Sequence, residues 1–291
     1  MPYVGRFAPS PSGRLHLGSL TTAVASYLEA RQHHGRWLLR IEDLDAARVI
    51  AGASAQLVDT LARYGFEWDG EVLYQSRRQH LYEAAFQRLQ AVGLLYPCSC
   101  SRRVLRDHDA DSGYPGTCRG GVSGAPPYAW RLRIEDRNRE AFTDTLQGWC
   151  EQPLGPLGDP IVRRRDAVIS YQLAVVVDDA DSGITDVVRG SDLLSSTAWQ
   201  RCLQRALQLP LLRYCHLPLV VDADGRKLSK SLRAVPLDGA DAGAWLCRTL
   251  ALLRQQPPDS LRTASLPSIW QWALENWQLA RLESVKSLPD R

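Results

Sequence analysis

The chain has 291 residues, 45% of them apolar and 23% charged, enough to bury a sizeable core as one large domain or two modest ones without disulfide staples. No uninterrupted apolar run approaches the roughly 20 residues of a membrane helix, and the start, MPYVGRFAPSPSG, lacks the basic and apolar regions of an export signal, so a cytoplasmic protein with no membrane attachment is expected. A net charge of +3 is too small to announce a nucleic-acid binder, but Lys227, Lys230 and Lys286 are the only lysines among 35 basic residues, so two lysines sharing one short loop stand out.

The predicted elements begin with a strand, Tyr3 to Phe7, running into the turn Ala8-Pro9-Ser10-Pro11-Ser12-Gly13. The helical spacing of Leu17, Leu20, Ala23, Val24, Tyr27 and Leu28 predicts a helix over about 17–34, and the near-continuous apolar run Trp37 to Ile41 predicts a buried parallel strand. Helical patterns follow over 53–64 and 80–92, and this alternation argues for a βαβ sheet. Between Tyr96 and Pro127 the pattern dissolves into Cys, Arg, Asp, Gly and Pro, which predicts a small module inserted into the sheet. Tyr128 to Ile134 alternates as a strand; Val168 to Val177 and Gly183 to Val188 read as further strands, 195–207 as a helix, and Leu217 to Val221 as a strand. Beyond Pro236 the pattern is wholly helical, over 242–253 and 266–282. The expected fold class is therefore α/β, a Rossmann-type parallel sheet split by an insertion at about 96–127, with an α/β region over 1–235 and a helical region over 236–291.

Two short segments carry chemistry. The entry to the first helix, Arg14-Leu15-His16-Leu17-Gly18-Ser19, puts free backbone N–H groups and a helix dipole where an anion is favoured; Gly18 leaves room for a nucleotide and His16 adds a donor. The second, Asp224-Gly225-Arg226-Lys227-Leu228-Ser229-Lys230-Ser231, offers mobile ammonium groups suited to charge growing on transferring phosphates. Alone, His16 is an ordinary surface histidine and the lysine loop a solvated basic turn; in this order and context they reinforce each other.

His16-Leu17-Gly18-Ser19 resembles the HIGH element, and Lys227-Leu228-Ser229-Lys230-Ser231 the KMSKS element, of class I aminoacyl-tRNA synthetases. Arg6 to Gly13, Arg40-Ile41-Glu42-Asp43-Leu44-Asp45, and Tyr171-Gln172-Leu173-Ala174 through Val177-Asp178-Asp179 resemble the glutamyl branch, over about residues 3 to 235. The resemblance implies ATP, with Mg, as co-substrate and L-glutamate as the amino acid. It assigns catalytic phosphate roles to His16, Lys227 and Lys230, ATP contacts to His16, Gly18 and Lys230, and the amino-acid pocket to Arg6, Ala8, Ser10, Glu42, Tyr171 and Arg189, with Glu42 on the ammonium and arginines on the carboxylates. The bland alternative for Glu42 and Arg189 is an internal ion pair at the sheet's edge. Two departures stand out: the last His of HIGH is Ser19, and Val175 replaces a polar Asn usual in relatives that charge tRNA.

In the insertion, Cys98, Cys100 and Cys118 are more easily explained as ligands of one structural zinc than as disulfides. His108 is the chemically ordinary fourth ligand, whereas the resemblance implies Tyr114; three free thiols without metal is the alternative. Cys150, Cys202, Cys215 and Cys247 read as core fillers, and Trp270, Ala273, Leu274 and Trp277, at i, i+3, i+4, i+7 spacing, as a packing face rather than a base-stacking one. Arg163-Arg164-Arg165 and Arg102-Arg103 are candidates for RNA phosphate contacts, set against simple solvation.

Only 60 residues follow Ser231, too few for the anticodon-binding domain of a synthetase that reads an anticodon. A synthetase truncated in this way is similar to the family branch that transfers activated glutamate to queuosine at the wobble position of tRNA(Asp), which makes that tRNA the expected partner of a monomeric enzyme. Two alternatives stay open at this point: a minimal enzyme charging tRNA(Glu), and a non-catalytic RNA-binding relative.

Overall fold

The computed structural model describes residues 2–101, 114–134, 139–222, 224–226, 237 and 241–290. Strand β1 (Val4–Phe7) lies parallel to β2 (Arg36–Ile41), and β2 is parallel to β3 (Leu73–Tyr74). Helix α1 (Leu17–Gln32) crosses from β1 to β2, and α2 (Ala53–Arg63) and α3 (Gln79–Ala91) follow, within a residue or two of where apolar spacing places them. Apolar residues line more than one face of α1, because it packs against the sheet on one side and the C-terminal helices on the other.

After α3 the chain leaves the β1-β2-β3 sheet. Strand β4 (Leu95–Cys98) pairs antiparallel with β5 (Ala129–Leu132), and β5 with β8 (Ile161–Arg163), making a separate three-stranded sheet. Between β5 and β8 the chain returns to the main sheet as an antiparallel hairpin, β6 (Arg139–Asp144) and β7 (Gly148–Pro153), absent from the sequence expectation. The inward positions of β6 are Glu140, Phe142 and Asp144, so two of three carry acids and no apolar alternation is visible. Glu140 is affordable inside because Arg201 and Arg205 both pair with it.

Of residues 168–177, expected as a strand, Ile169 makes a β-bridge to Arg163, but from Tyr171 onward the chain is instead helix α4 (Tyr171–Asp181). The β-branched run Val175-Val176-Val177 favours extended backbone locally. Packing overrides it: Leu173, Val175 and Val176 join one apolar cluster with Phe86 and Leu89 of α3, and Asp178 and Asp179 turn inward to buried arginines. Strand β9 (Asp186–Gly190), helix α5 (Leu194–Ala206) and strand β10 (Arg213–Leu217) complete the main sheet, in the order β7-β6-β10-β9 and parallel except for β7. Thr185, at the start of β9, donates its N–H to Val4 O at 2.9 Å and accepts from Val4 N at 2.8 Å, which sets β9 alongside β1.

After β11 (Leu219–Val221) come α6 (Ala242–Leu252), capped by Asp241 on Ala244 N, and α7 (Leu266–Asn276), capped by Ser265 on Ser268 N. The C-terminal part is not wholly helical: β12 (Ser287–Pro289) closes it, parallel to β11. The expected packing face is real. Trp270 meets Tyr27 and Phe66 edge to face at 4.9 Å, and the Trp277 indole N–H donates to Glu29 Oε1. Cys215 and Cys247 are buried in this core, while Cys150 and Cys202 are only partly covered. Among the described residues no helix is long and apolar enough to cross a membrane.

Trp277 is 2% exposed and ties the last helices to α1. Trp277→Ala should therefore destabilise the fold by about 3–5 kcal/mol, read as a lower urea midpoint at unchanged slope.

Candidate active site

From β1 the sheet extends outward through β2 and β3 on one side and through β9, β10 and β6 on the other. The strand order therefore reverses at the β1/β9 seam, where doubly wound sheets bind their ligands beyond the strands' C-terminal ends. A cavity of about 810 Å³ opens there, within the range of small-molecule sites. Its wall brings together the residues expected from separate stretches of sequence: Arg6, Ala8 and Ser10 after β1, His16 and Gly18 at the start of α1, Glu42 after β2, Tyr171 opening α4, and Arg189 on β9.

His16 is the N-cap of α1, and its Nδ1 accepts from Ser19 N at 3.2 Å. With Nδ1 accepting, the proton sits on Nε2, 3.1 Å from Ser19 Oγ. A Cβ on Gly18 would lie 3.3 Å from two atoms of this imidazole, so the glycine keeps the histidine in its capping position. The substituted Ser19 thus does local work, orienting His16.

Below the cavity floor lies a buried charge network. Arg40, 1% exposed, donates through Nη1 to Asp179 Oδ1 at 2.7 Å and faces Glu42 Oε1 at 3.5 Å. Arg6 Nε is 3.4 Å from the same Asp179 oxygen. Asp178 accepts from Gln75, Arg78 and Tyr82 at 2.7–2.9 Å. Burial raises Glu42 above the ordinary carboxyl value despite Arg40 and Arg6. Burial works against Asp179 too, but Arg40 and Arg6 outweigh it and hold that carboxyl below its ordinary value. The bland expectation of a Glu42–Arg189 ion pair is not met: Glu42 faces Arg40, whereas Arg189 Nε donates to His216 Nε2 at 3.1 Å and Nη2 to Thr197 Oγ1 at 2.8 Å. His216 in turn bonds Asp144 through Nδ1 at 2.6 Å.

The sequence reading assigned no role to Arg40, Asp144, Thr197 or His216. The available signal was a charged residue set inside an apolar strand, in WLLRI and RYCHL. Val175 is 1% exposed and packs in an apolar core, away from the cavity wall.

In the insertion the sulfurs of Cys98, Cys100 and Cys118 lie within 4.8 Å of one another, with Cys100 and Cys118 at 3.6 Å. Sulfurs about 2.3 Å from a tetrahedral zinc stand roughly 3.8 Å apart, so the donor set fits that ion. The Tyr114 hydroxyl lies 3.5 Å from Cys98 Sγ and accepts from Cys118 N at 2.8 Å. Burial raises the Cys118 thiol, but hydrogen bonds from Ser99, Tyr114 and Cys100 more than offset it and bring it down to about 7. Arg163 stacks over Phe86 and pairs with Glu83, Arg164 pairs with Asp45 and Asp166, and Arg165 Nη2 donates to Ser99 O, so the triplet is engaged within the fold rather than simply solvated. Lys227, Lys230, His108, Arg102 and Arg103 lie outside the described residues.

Residues 3–245 match the family of tRNA synthetases class I (E and Q), catalytic domain. The chain belongs to that family. It is 50% identical over 284 residues to the glutamyl-Q tRNA(Asp) synthetase of Aromatoleum aromaticum, covering 96% of this chain and 90% of the relative. It is 48% identical over 289 residues to the glutamyl-Q tRNA(Asp) synthetase of Pseudomonas aeruginosa, covering 99% and 98%. A crystal structure of a glutamate tRNA ligase from Elizabethkingia meningosepticum, in complex with its amino acid, superposes with a TM-score of 0.79 over 99% of this chain and 67% of that one. At 22% identity that likeness shows the fold.

Two buried groups give the fold a directed pH dependence. Burial opposes ionisation of Asp144, but the hydrogen bonds from His216 and Gln147 prevail and hold its carboxyl below the ordinary value; burial likewise lowers His216, outweighing Asp144. In both cases the unfolded chain binds the proton more readily, so the stabilisation is complete above the unfolded values and is lost as pH falls through the folded ones. Urea titrations between about pH 7 and pH 3 should show falling stability, and Asp144→Asn should make the acid limb shallower by up to about 1.4 kcal/mol per pH unit.

Proposed function

We propose that the protein activates L-glutamate with ATP and transfers the glutamyl group to queuosine at the wobble position of tRNA(Asp). One observation carries this reading: the six residues expected to hold glutamate and the two described residues expected to hold ATP line a single cavity at the sheet's reversal point. Near-full-length relatives named glutamyl-Q tRNA(Asp) synthetase support the choice of acceptor over tRNA(Glu) charging.

In the first step a glutamate carboxylate oxygen attacks the α-phosphorus of ATP, the bond to pyrophosphate breaks, and a glutamyl adenylate forms. A hydroxyl of the queuosine cyclopentenediol then attacks the acyl carbon and AMP leaves. Arg6 and Arg189 meet the carboxylates of glutamate and Glu42 its ammonium, with Ala8, Ser10 and Tyr171 completing the pocket. Glu42 suits this task because its carboxyl, costly to bury charged, gains a counter-ion when the ammonium arrives. His16 offers Nε2–H to phosphate beside the α1 N-terminus, where Gly18 leaves the nucleotide room. Lys227 and Lys230 close on the phosphates as charge builds in the transition state, and Mg accompanies ATP.

This activity belongs to a catalytic region over 1–235 carrying the inserted module at 96–127, followed by the region 236–291. The enzyme acts as a monomer in the cytoplasm. Cys98, Cys100, Tyr114 and Cys118 hold one structural zinc, which would cross-link the end of β4 to the loop that precedes β5.

Pyrophosphate exchange with ATP should require glutamate and no RNA, and Lys230→Ala should slow it by about 30- to 1,000-fold, or 2–4 kcal/mol. With labelled glutamate, only tRNA(Asp) carrying queuosine should be labelled. Label on tRNA(Asp) lacking queuosine, or on tRNA(Glu), would establish an ordinary charging enzyme, and no exchange at all a non-catalytic RNA binder.

Metal analysis of freshly purified protein should return one zinc per chain, and Cys98→Ser should lower that content and increase proteolysis within the insertion. Substantially less than one zinc in the unaltered protein would count against the site.

A further inference from the structure

Arg189 reaches the cavity wall from inside the sheet and is 4% exposed. Arg6 and Arg40, buried at the same seam, each have a carboxylate within 4 Å, but no carboxylate pairs with Arg189 among the described residues. Its hydrogen bonds go to neutral acceptors: Nε to His216 Nε2, and Nη2 to Thr197 Oγ1 at 2.8 Å and Leu193 O at 3.4 Å. The guanidinium is therefore held in place by neutral groups, with its Cζ also 5.3 Å over the Tyr214 ring, and its charge reaches Asp179 only at longer range, without an ion pair, so a carboxylate can still be received at the wall.

That arrangement works only if His216 Nε2 carries a lone pair. With the proton on Nε2, two N–H groups would face each other at 3.1 Å. Asp144 decides the matter. Its Oδ1 is saturated by the N–H groups of Leu146, Gln147 and His216 at 2.9–3.2 Å, and its Oδ2 stands 2.6 Å from His216 Nδ1. A carboxylate fixed this way accepts from Nδ1–H, so the imidazole keeps its proton on Nδ1 and Nε2 is left as the acceptor. The imidazole has no freedom to turn: it is fully buried, stacked 12° from parallel on Tyr214, and 3.1 Å from Thr197 Oγ1. β6, β9, β10 and α5 each supply one part, so the relay exists only in the assembled sheet.

We infer that His216 is a positioning residue for substrate recognition: Asp144 fixes its proton on Nδ1, and its Nε2 holds the Arg189 guanidinium in the orientation that receives a carboxylate of the amino acid. The inference rests on the reading of this cavity as the glutamate pocket. It makes the affinity for glutamate, rather than ATP handling, depend on a residue that does not line the cavity wall.

The test is glutamate-dependent pyrophosphate exchange by the full chain without tRNA, recorded as separate KM values for glutamate and ATP. His216→Asn keeps a group within reach of Asp144 but removes the acceptor for Arg189. His216→Gln carries a carbonyl oxygen close to where Nε2 stands. His216→Asn should raise the KM for glutamate at least about tenfold, as loss of an outer-shell orienting bond does elsewhere, and leave the KM for ATP unchanged. His216→Gln should recover most of the loss. An unchanged KM for glutamate in folded His216→Asn, or equal rises for both substrates, overturns the proposal. If His216→Asn does not fold by circular dichroism, Thr197→Val, which removes the nearer of the two Nη2 acceptors at nearly constant shape, must raise the KM for glutamate alone, and no rise overturns the proposal. Arg189→Ala separates this inference from the reading beneath it: if it leaves the KM for glutamate unchanged, the pocket assignment fails and the inference falls with it. If Arg189→Ala impairs glutamate use while His216→Asn does not, only the positioning role is lost.

Discussion

Charge buried beneath the cavity has to be met by buried counter-charge or by hydrogen bonds, and at the β1/β9 seam that requirement joins distant parts of the chain. Arg40 and Asp179 are 139 residues apart in sequence and 2.7 Å apart in space. Removing one member of such a pair strands the other in a low-dielectric interior, which is far costlier than the pair itself is stabilising. The network therefore acts as a registration device more than as a source of stability. β2 brings Arg40 and Glu42, α4 brings Asp178 and Asp179, and β1 brings Arg6, and only one relative placement of these elements satisfies all five.

That placement also shapes the cavity's chemistry. Asp179 lies between Arg40 and Arg6, Glu42 is left at the wall with a carboxyl costly to keep charged, and Arg189 is held by neutral acceptors. An incoming molecule bearing both an ammonium and carboxylates complements this surface, while a neutral or purely cationic one does not. The rigidity comes from elements, not loops, since the orienting side chains sit on β2, β6, β10 and α5.

The insertion has its own anchor. Asp159, 1% exposed, receives Arg119 Nε and Nη2 at 2.6 Å, the Ile134 N–H at 2.8 Å and the Tyr96 hydroxyl. Arg131 stacks 3.6 Å over Tyr114 and donates to Cys98 Sγ at 3.3 Å, so the cysteine cluster leans on the three-stranded sheet. At the other end of the molecule, Trp270 and Trp277 make α7 part of the same core as α1.

What the sequence by itself determined is local or period-based. Apolar spacing located β1, α1, β2, α2 and α3, the glycine- and proline-rich turn after β1 marked the cavity rim, and the family motifs picked out the residues of its wall. The Cys-x-Cys spacing and the later Cys118 pointed to a cluster of three sulfurs that the fold does bring together, whereas Tyr114 was supplied by the family resemblance. The tertiary structure decided what depends on a partner far along the chain. Val175-Val176-Val177 is helical because α3 and α5 enclose it, and β6 is a strand although Glu140 and Asp144 face inward, because Arg201, Arg205 and His216 receive them. Likewise Arg189 is paired with His216 and not with Glu42, since strand order sets β10 beside β9 and β6 beside β10. A residue's own neighbours fix its backbone preference and its periodicity, whereas the sign and protonation of the group it meets inside are set by strand order, which no local stretch of sequence contains.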